Sequence, residues 1–188
     1  NGDLTPDLWV TNFEQESFAL YKNDGQANFV HASREAGITA LGQLFVGFGT
    51  TMGDLDCDGD EDAVITNGHV VYYPSISELR QFPLLLKNSG DGKFTSTAST
   101  AGSYFTSPHL GRGLSIADIN SDGLLDIIAA HNNEPAAVLL NNTKTTCSWI
   151  RLQLVGTRSS RDAVGARVVL HTSDGDQLRH ITGGGSFQ

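Results

Sequence analysis

The sequence predicts an all-β protein, a partial β-propeller of about two and a half four-stranded blades followed by a small truncated β module. Three observations predict this. An aspartate-rich loop followed by an apolar strand occurs three times in the 188 residues. Each occurrence leads into further short strand-like segments separated by turns, and four short strands repeated every ~50–65 residues are typical of propeller blades. Helical character is confined to one turn at Ser33–Ala36.

The second repeat shows the four predicted strands most clearly. They are Thr50–Gly53, Ala63–Thr66, Pro83–Lys87 and Lys93–Thr97, with alternating or β-branched composition and turn residues between them. A propeller closes its ring with roughly four to eight blades. We therefore expect missing blades or other chains to complete the ring.

The second loop, Asp54–Asp62, has the ligand spacing of a calcium site. Carboxylates stand at its positions 1, 3, 5 and 9, and Gly59 at position 6 permits the left-handed backbone of a tight turn. Calcium takes six to eight oxygen ligands at ~2.3–2.6 Å, and the carbonyl of position 7 would add one more. The candidate ligands are Asp54, Asp56, Asp58, Asp60 and Asp62.

The third loop, Asp118–Asp126, repeats this plan, and the first loop, Asn1–Asp7, begins at its third position. Position 1 is therefore missing from the first loop, where Leu4 also replaces the glycine. We expect two complete calcium sites and one truncated site. The candidates are Asp118, Asn120, Asp122, Leu124 (carbonyl) and Asp126 in the third loop, and Asn1, Asp3, Thr5 and Asp7 in the first.

Other metal sites fit the loops less well. An EF-hand needs a glutamate at position 12 and flanking helices, but this position holds Ile65 or Ala129 within strand-like runs. Zinc would favour cysteine or histidine ligands, and magnesium seldom uses an all-protein cage. The ions are expected to brace the blades and to do no chemistry.

Charge and composition exclude two partner classes. Residues 1–142 carry 18 acidic and 6 basic side chains, within a whole-chain net charge of -9, so we expect no nucleic-acid partner. No apolar run reaches the ~20 residues that span a bilayer. Cys57 and Cys147 either form a disulfide in an oxidising compartment or remain two free thiols.

The run Gly-x-Gly, Asp-x-Asp-x-Asp-Gly-x-x-Asp and then an apolar strand resembles the FG-GAP or VCBS repeat, which builds integrin-like propellers. The resemblance covers residues 1–142, with its best motifs at Asp54–Asp62 and Asp118–Asp126. It implies that each loop joins two strands of one blade and carries calcium.

Residues 143–188 are similar to the start of an ASPIC/UnbV domain, through Trp149–Gly156, Ser160–Val168 and Gly183–Ser186. This part of the sequence predicts strands at Trp149–Val155, Ala166–Thr172 and Gln177–Thr182. The arginines of this part either form an anion site near the glycine run or pair with the acidic propeller. The four arginines considered for this site are Arg158, Arg161, Arg167 and Arg179.

The function predicted from these features is calcium-stabilised binding or adhesion to a protein or carbohydrate. No histidine or serine lies in a recognisable catalytic motif, so we expect no enzyme. Two alternatives remain, a propeller-based lyase or hydrolase and a structural subunit of a larger assembly. Calcium sites of extracellular modules bind at ~10⁻⁴–10⁻³ M, which favours a secreted, cell-surface or periplasmic location.

Overall fold

The computed structural model of the protein describes residues 2–173 and 175–183. These residues form twelve short strands in four antiparallel sheets, with two short 3-10 helices at Ile38–Leu41 and Ala98–Thr100. The prediction of an all-β protein is therefore confirmed. Within the same ranges, no helix has the length and apolar character needed to cross a membrane.

Strands adjacent in the chain are also adjacent in each sheet. The first sheet contains β1 (Leu8–Val10), β2 (Ala19–Asn23) and β3 (Phe29–His31). The second contains β4 (Gly47–Gly53), β5 (Asp62–Asn67), β6 (Leu84–Asn88) and β7 (Phe94–Ser96). The third contains β8 (Gly111–Ala117), β9 (Asp126–His131) and β10 (Ala137–Leu139). The fourth is a hairpin of β11 (Arg167–Thr172) and β12 (Gly175–His180).

The second and third sheets repeat one pattern around their loops. The second loop joins β4 to β5 and the third loop joins β8 to β9, with Gly53 paired to Asp62 and Ala117 paired to Asp126. Both ladders also have a register shift at the Gly-x-Gly that precedes the loop. Among the described residues, the second sheet has all four expected strands and the first and third have three each. Closure into a propeller stays a prediction.

The core lies on both faces of the second sheet. Every residue of β5 is buried, and successive side chains of a strand point to opposite faces. Ile65 packs in one apolar cluster with Phe18 and Leu20 of the first sheet region. Val64 packs in the other cluster with Leu114 and other residues of the third sheet. The second sheet is therefore the middle layer of three.

The repeated glycines allow neighbouring sheets to approach closely. A Cβ added at Gly49 would lie 2.6 Å from the Arg112 carbonyl oxygen, and one added at Gly111 would lie 2.5 Å from the Thr66 Cβ. Such distances are too short for any side chain larger than hydrogen. Gly49 and Gly111 are thus required where β8 packs against β4 and β5.

One predicted element of the C-terminal part is wrong. The structure has no strand at Trp149–Val155, because no neighbouring strand within the described ranges pairs with this segment. The other two predicted strands are present as β11 and β12, although β12 begins at Gly175 and ends at His180. The proposed division into domains at 142/143 stays a prediction.

Candidate metal centre

The second loop brings three carboxylates together. Single ligand oxygens of Asp54, Asp56 and Asp58 lie within 4.8 Å of one another, a group that could hold a metal ion. The loop backbone keeps them there, because the amides of Asp58 and Gly59 donate to the Asp54 carboxylate at 3.0 and 2.9 Å. Asp60 also donates its amide to Asp58, at 3.0 Å. Three negative charges at this separation repel one another unless a cation neutralises them.

Positive backbone φ angles shape both complete loops in the same way. In the second loop Cys57 has φ 66° and Gly59 has φ 97°, and in the third loop Ser121 has 65° and Gly123 has 91°. Left-handed backbone at positions 4 and 6 turns the chain tightly enough for side chains at positions 1, 3 and 5 to converge. The repeat seen in the sequence is therefore also a repeat of backbone conformation.

The aspartate at position 9 ties each complete loop to its sheet. Asp62 accepts the Leu55 amide at 3.2 Å and the Asn88 amide of β6 at 2.9 Å. Asp126 accepts the equivalent amides, from Ile119 at 2.9 Å and from Asn141 at 2.8 Å. In the first loop Asp7 accepts the Asn23 amide at 2.9 Å. These bonds connect the start of the loop to the next strand whether or not a metal is bound.

Burial shifts the pKa values of aspartates in the second loop. Burial raises the pKa of Asp62 to about 6, against the lowering effect of its amide bonds, and the charges of Asp56 and Asp58 raise it further. Burial also raises the pKa of Asp54. For Asp58, hydrogen bonds from the Asp60 amide and Lys87 outweigh burial and lower the pKa.

Calcium binding at the second loop should therefore weaken below pH 6. The raised pKa of Asp62 means that a proton stabilises the metal-free fold at low pH, and that this contribution is lost as the pH rises through about 6. Calcium has to displace that proton, so its affinity should fall about tenfold between pH 7.5 and pH 5. Calorimetric titrations at the two pH values measure this change, and equal affinities would contradict it.

The donor set of the second loop fits a hard cation. Asp56 Oδ1 is buried and has no hydrogen-bond partner, while its other oxygen pairs with the Lys87 ammonium. Lys87 also lies 3.0 Å from Asp58 Oδ2, and these bonds raise the pKa of the lysine. One lysine does not balance three carboxylates, and an orphaned buried oxygen is costly. A loop whose candidate ligands are all oxygen atoms, one of them buried without a partner, suits calcium.

The third loop has the same frame but a different charge balance. Asp118 accepts the amides of Asp122 and Gly123 at 3.1 and 3.2 Å, and Asp122 accepts the Leu124 amide at 2.9 Å. Asn120 donates its side-chain amide to Asp122 at 2.8 Å. In the described part of the chain, only the second loop places ligand atoms of three acidic or histidine side chains within 4.8 Å of one another. The third loop has the neutral side chain of Asn120 at position 3.

The truncated first loop keeps the turn without the full donor set. Asn1 lies outside the described residues. Gly2 and Leu4 have φ angles of 73° and 62°, the same left-handed conformation as their counterparts in the complete loops. Thr5 donates its amide and hydroxyl to the Asp3 carboxylate at 2.9 and 2.5 Å. A neutral hydroxyl therefore satisfies Asp3 in this loop.

Of the alternatives for the C-terminal arginines, pairing with the acidic propeller is met by Arg179, whose Nε lies 3.5 Å from Glu61 Oε1 of the second loop. Sequence reasoning missed two other basic partners of the loops. Lys87 belongs to the repeated Leu-x-Lys-Asn element that ends the third strand of a blade, so its recurrence was a usable signal. Arg151 pairs with Asp118 at 2.5 Å from 33 residues away, and no local pattern indicates that contact. The structure also resolves the alternative left open for the cysteines, since Cys57 and Cys147 form a disulfide.

Comparisons with known proteins give a distant similarity. No family model matches the chain. The chain is 29% identical over 136 residues to cartilage acidic protein 1 of Mus musculus and 30% identical over 136 residues to cartilage acidic protein 1 of Homo sapiens. Each alignment covers 70% of this chain and 20% of the relative. The chain thus spans about a fifth of the length of the curated relatives that it matches.

Proposed function

We propose that this chain is part of an extracellular β-propeller that binds calcium and uses the ion to brace its blades while another surface binds a protein or carbohydrate. The main observation behind this proposal is the geometry of the second loop. Three of its carboxylates lie within 4.8 Å of one another, and Asp56 Oδ1 is buried without a partner. The similarity to cartilage acidic protein 1, whose name refers to cartilage, a tissue rich in extracellular matrix, supports the location.

The side chains of the loops would hold the ion. Asp54, Asp56 and Asp58 would supply carboxylate oxygens. Asp62, which also anchors the end of the second loop to β6, would supply a fourth carboxylate from the start of β5. The third loop offers an equivalent frame. Bound calcium would neutralise the carboxylates and fix the turn between two strands, so its role is structural.

The disulfide supports an oxidising compartment. Cys57 and Cys147 are joined with their Cα atoms 6.0 Å apart, and such bonds persist mainly in secreted or periplasmic proteins. Free calcium there is high enough to fill sites with a Kd of ~10⁻⁴–10⁻³ M. Location and metal binding are therefore consistent with each other.

An uncovered face of the third sheet supports the propeller. Val64 of β5 is 1% exposed because the third sheet packs on it. Its counterpart in β9, Ile128, is 36% exposed, and the paired Val138 is 59% exposed. By repeat equivalence, another sheet of the same kind would cover this face, from this protein or another chain. A structure of the longer protein that leaves this face in solvent would contradict the proposal.

The proposed partner surface is the connection between β5 and β6. It carries exposed apolar and aromatic residues, among them Val70, Tyr72 and Tyr73, of which Tyr73 is 87% exposed. Exposed tyrosines supply large amphipathic contact areas at binding surfaces. Because β5 begins at the second loop and ends at this connection, the partner surface and the calcium site lie at opposite ends of the sheet.

We propose no catalytic role. Two histidine–glutamate pairs lie at the end of the sheets away from the metal loops, His69 with Glu14 at 3.2 Å and His109 with Glu134 at 3.0 Å. Each histidine ring packs against an aromatic ring, Phe13 or Tyr104 respectively. The first pair joins neighbouring repeats, and Glu134 also pairs with Arg80 of the second repeat. Such contacts are typical of packed interfaces.

Calorimetric titration of calcium into the metal-free protein tests the proposal. We expect two binding events with a Kd of about 10⁻⁴–10⁻³ M and weaker binding of magnesium, which keeps its water shell. Thermal unfolding in calcium and in chelator gives a second measurement. An absence of binding heat together with an unchanged unfolding temperature would overturn the calcium proposal.

A further inference from the structure

A C-terminal arm, defined as the described residues from 143 to 183, crosses both complete metal loops. The disulfide joins Cys147 of the arm to Cys57 at position 4 of the second loop. Trp149 lies directly on the third loop, where a Cβ added at Gly123 would be 2.1 Å from the indole. Further along the arm, Arg179 Nε lies 3.5 Å from Glu61 Oε1 of the second loop.

The arm also places a cation on a candidate calcium ligand. Arg151 Nη2 donates to Asp118 Oδ2 at 2.5 Å. The arginine side chain is 56% exposed and the aspartate side chain 13% exposed. Asp118 is position 1 of the third loop, and the same Oδ2 atom also accepts the Gly123 amide at 3.2 Å. The arginine thus contacts a carboxylate that calcium would need.

Internal repetition explains why the arm supplies this charge. Asn88 and Asn141 are equivalent, since each donates its backbone N–H to the position-9 aspartate of its loop. Lys87, just before Asn88, pairs with Asp56 and Asp58. The residue just before Asn141 is Leu140. The third loop therefore has no internal lysine at this position, and its basic partner is Arg151 of the arm, which pairs with position 1 and not with positions 3 and 5.

We propose that Arg151 and calcium compete for Asp118, so that calcium entering the third loop releases the arm from that loop. The proposal rests on the proposed function, because it requires that the third loop binds calcium. The disulfide keeps the released arm attached to the second loop. Such coupling is reciprocal, so arm docking weakens calcium binding by the same factor by which calcium weakens docking.

The test is calorimetry on the third loop alone. In an Asp56→Ala background that removes a ligand side chain from the second loop, Arg151→Gln should tighten calcium binding about two- to fivefold, the range for removing a half-exposed competing ion pair. Arg151→Lys should leave the calcium affinity close to that of the protein with Arg151, because lysine keeps the positive charge. Arg158→Gln removes another exposed arginine of the arm and is the matched control, with no change expected.

The outcomes separate the inference from its premise. If Arg151→Gln leaves the calcium affinity unchanged or weakens it, the competition is overturned while calcium binding stays in place. No binding heat with or without the substitution would overturn calcium binding at the third loop and the inference with it. Circular dichroism confirms that each variant is folded before titration.

Trp149 gives a second measurement without any change to the arm. In a Trp9→Phe background it is the one remaining tryptophan of the two in the chain. Calcium should increase its accessibility to acrylamide, because release of Arg151 also lifts the indole from Gly123. Unchanged or reduced quenching at saturating calcium would contradict release of the arm.

Discussion

Asp56→Ala should remove calcium binding at the second loop, and with it about 2 kcal/mol of calcium-dependent stability at a calcium concentration about thirty times the Kd. Asp56 is central because its Oδ1 is buried without a partner inside the carboxylate group. Alanine removes both the ligand oxygens and the negative charge that attract the ion, whereas asparagine, which the third loop has at this position as Asn120, would keep a ligand oxygen. Urea unfolding in calcium and in chelator measures the difference.

The same substitution should not destabilise the metal-free protein. It removes one of three repelling carboxylates, and Lys87 keeps its pairing with Asp58. The variant should therefore equal or exceed the unmodified protein in chelator and fall below it in calcium. Asp91→Ala is the matched control, because Asp91 pairs with Lys93 in the turn between β6 and β7. A calcium-dependent gain in Asp56→Ala as large as that of the unmodified protein would exclude the second loop as a calcium site, whereas a smaller gain is expected from the third loop.

Cys147→Ser should lower the free energy of unfolding by about 2–4 kcal/mol, measured in chelator so that metal binding does not contribute. The disulfide closes a loop between residues 90 positions apart, and a cross-link of this span removes much of the conformational freedom of the unfolded chain. It also fixes Cys57, whose φ of 66° is part of the turn that gathers the loop carboxylates.

Three further samples test whether the bond itself carries this effect. Cys57→Ser, the double serine variant and the unmodified protein in reductant should all lose the same stability as Cys147→Ser. A loss below about 1 kcal/mol would show that the unfolded chain gains little freedom when the bond is broken. A larger loss in one single variant than in the double variant would assign the excess to the thiol left behind.

Local patterns predicted the parts of this fold that depend on local interactions. The Asp-x-Asp-x-Asp-Gly spacing located both complete loops, because left-handed backbone at a fixed position and side chains at alternating positions are short-range properties. Short apolar and β-branched runs bounded by turn residues located β5 and β6 to within a residue for the same reason. The repeat then predicted four strands for each blade, and the second sheet has all four.

Contacts between distant segments could not be predicted in this way. Trp149–Val155 has the composition of a strand, but a strand also needs a neighbouring strand to pair with. Composition alone does not show whether such a neighbour is present. The pairing of Arg151 with Asp118 spans 33 residues, and the disulfide spans 90. Only the folded arrangement brings these partners together.

The disulfide also determines how the molecule would bear a pulling force. Tension applied through the C-terminal arm reaches Cys147 and passes through the sulfur–sulfur bond to Cys57. Residues 58–146, which include β5, β6, β7 and the whole third sheet, lie outside that load path. A tether that exits through the arm would therefore load the second loop and the sheets before it, and β10 would not peel from β9.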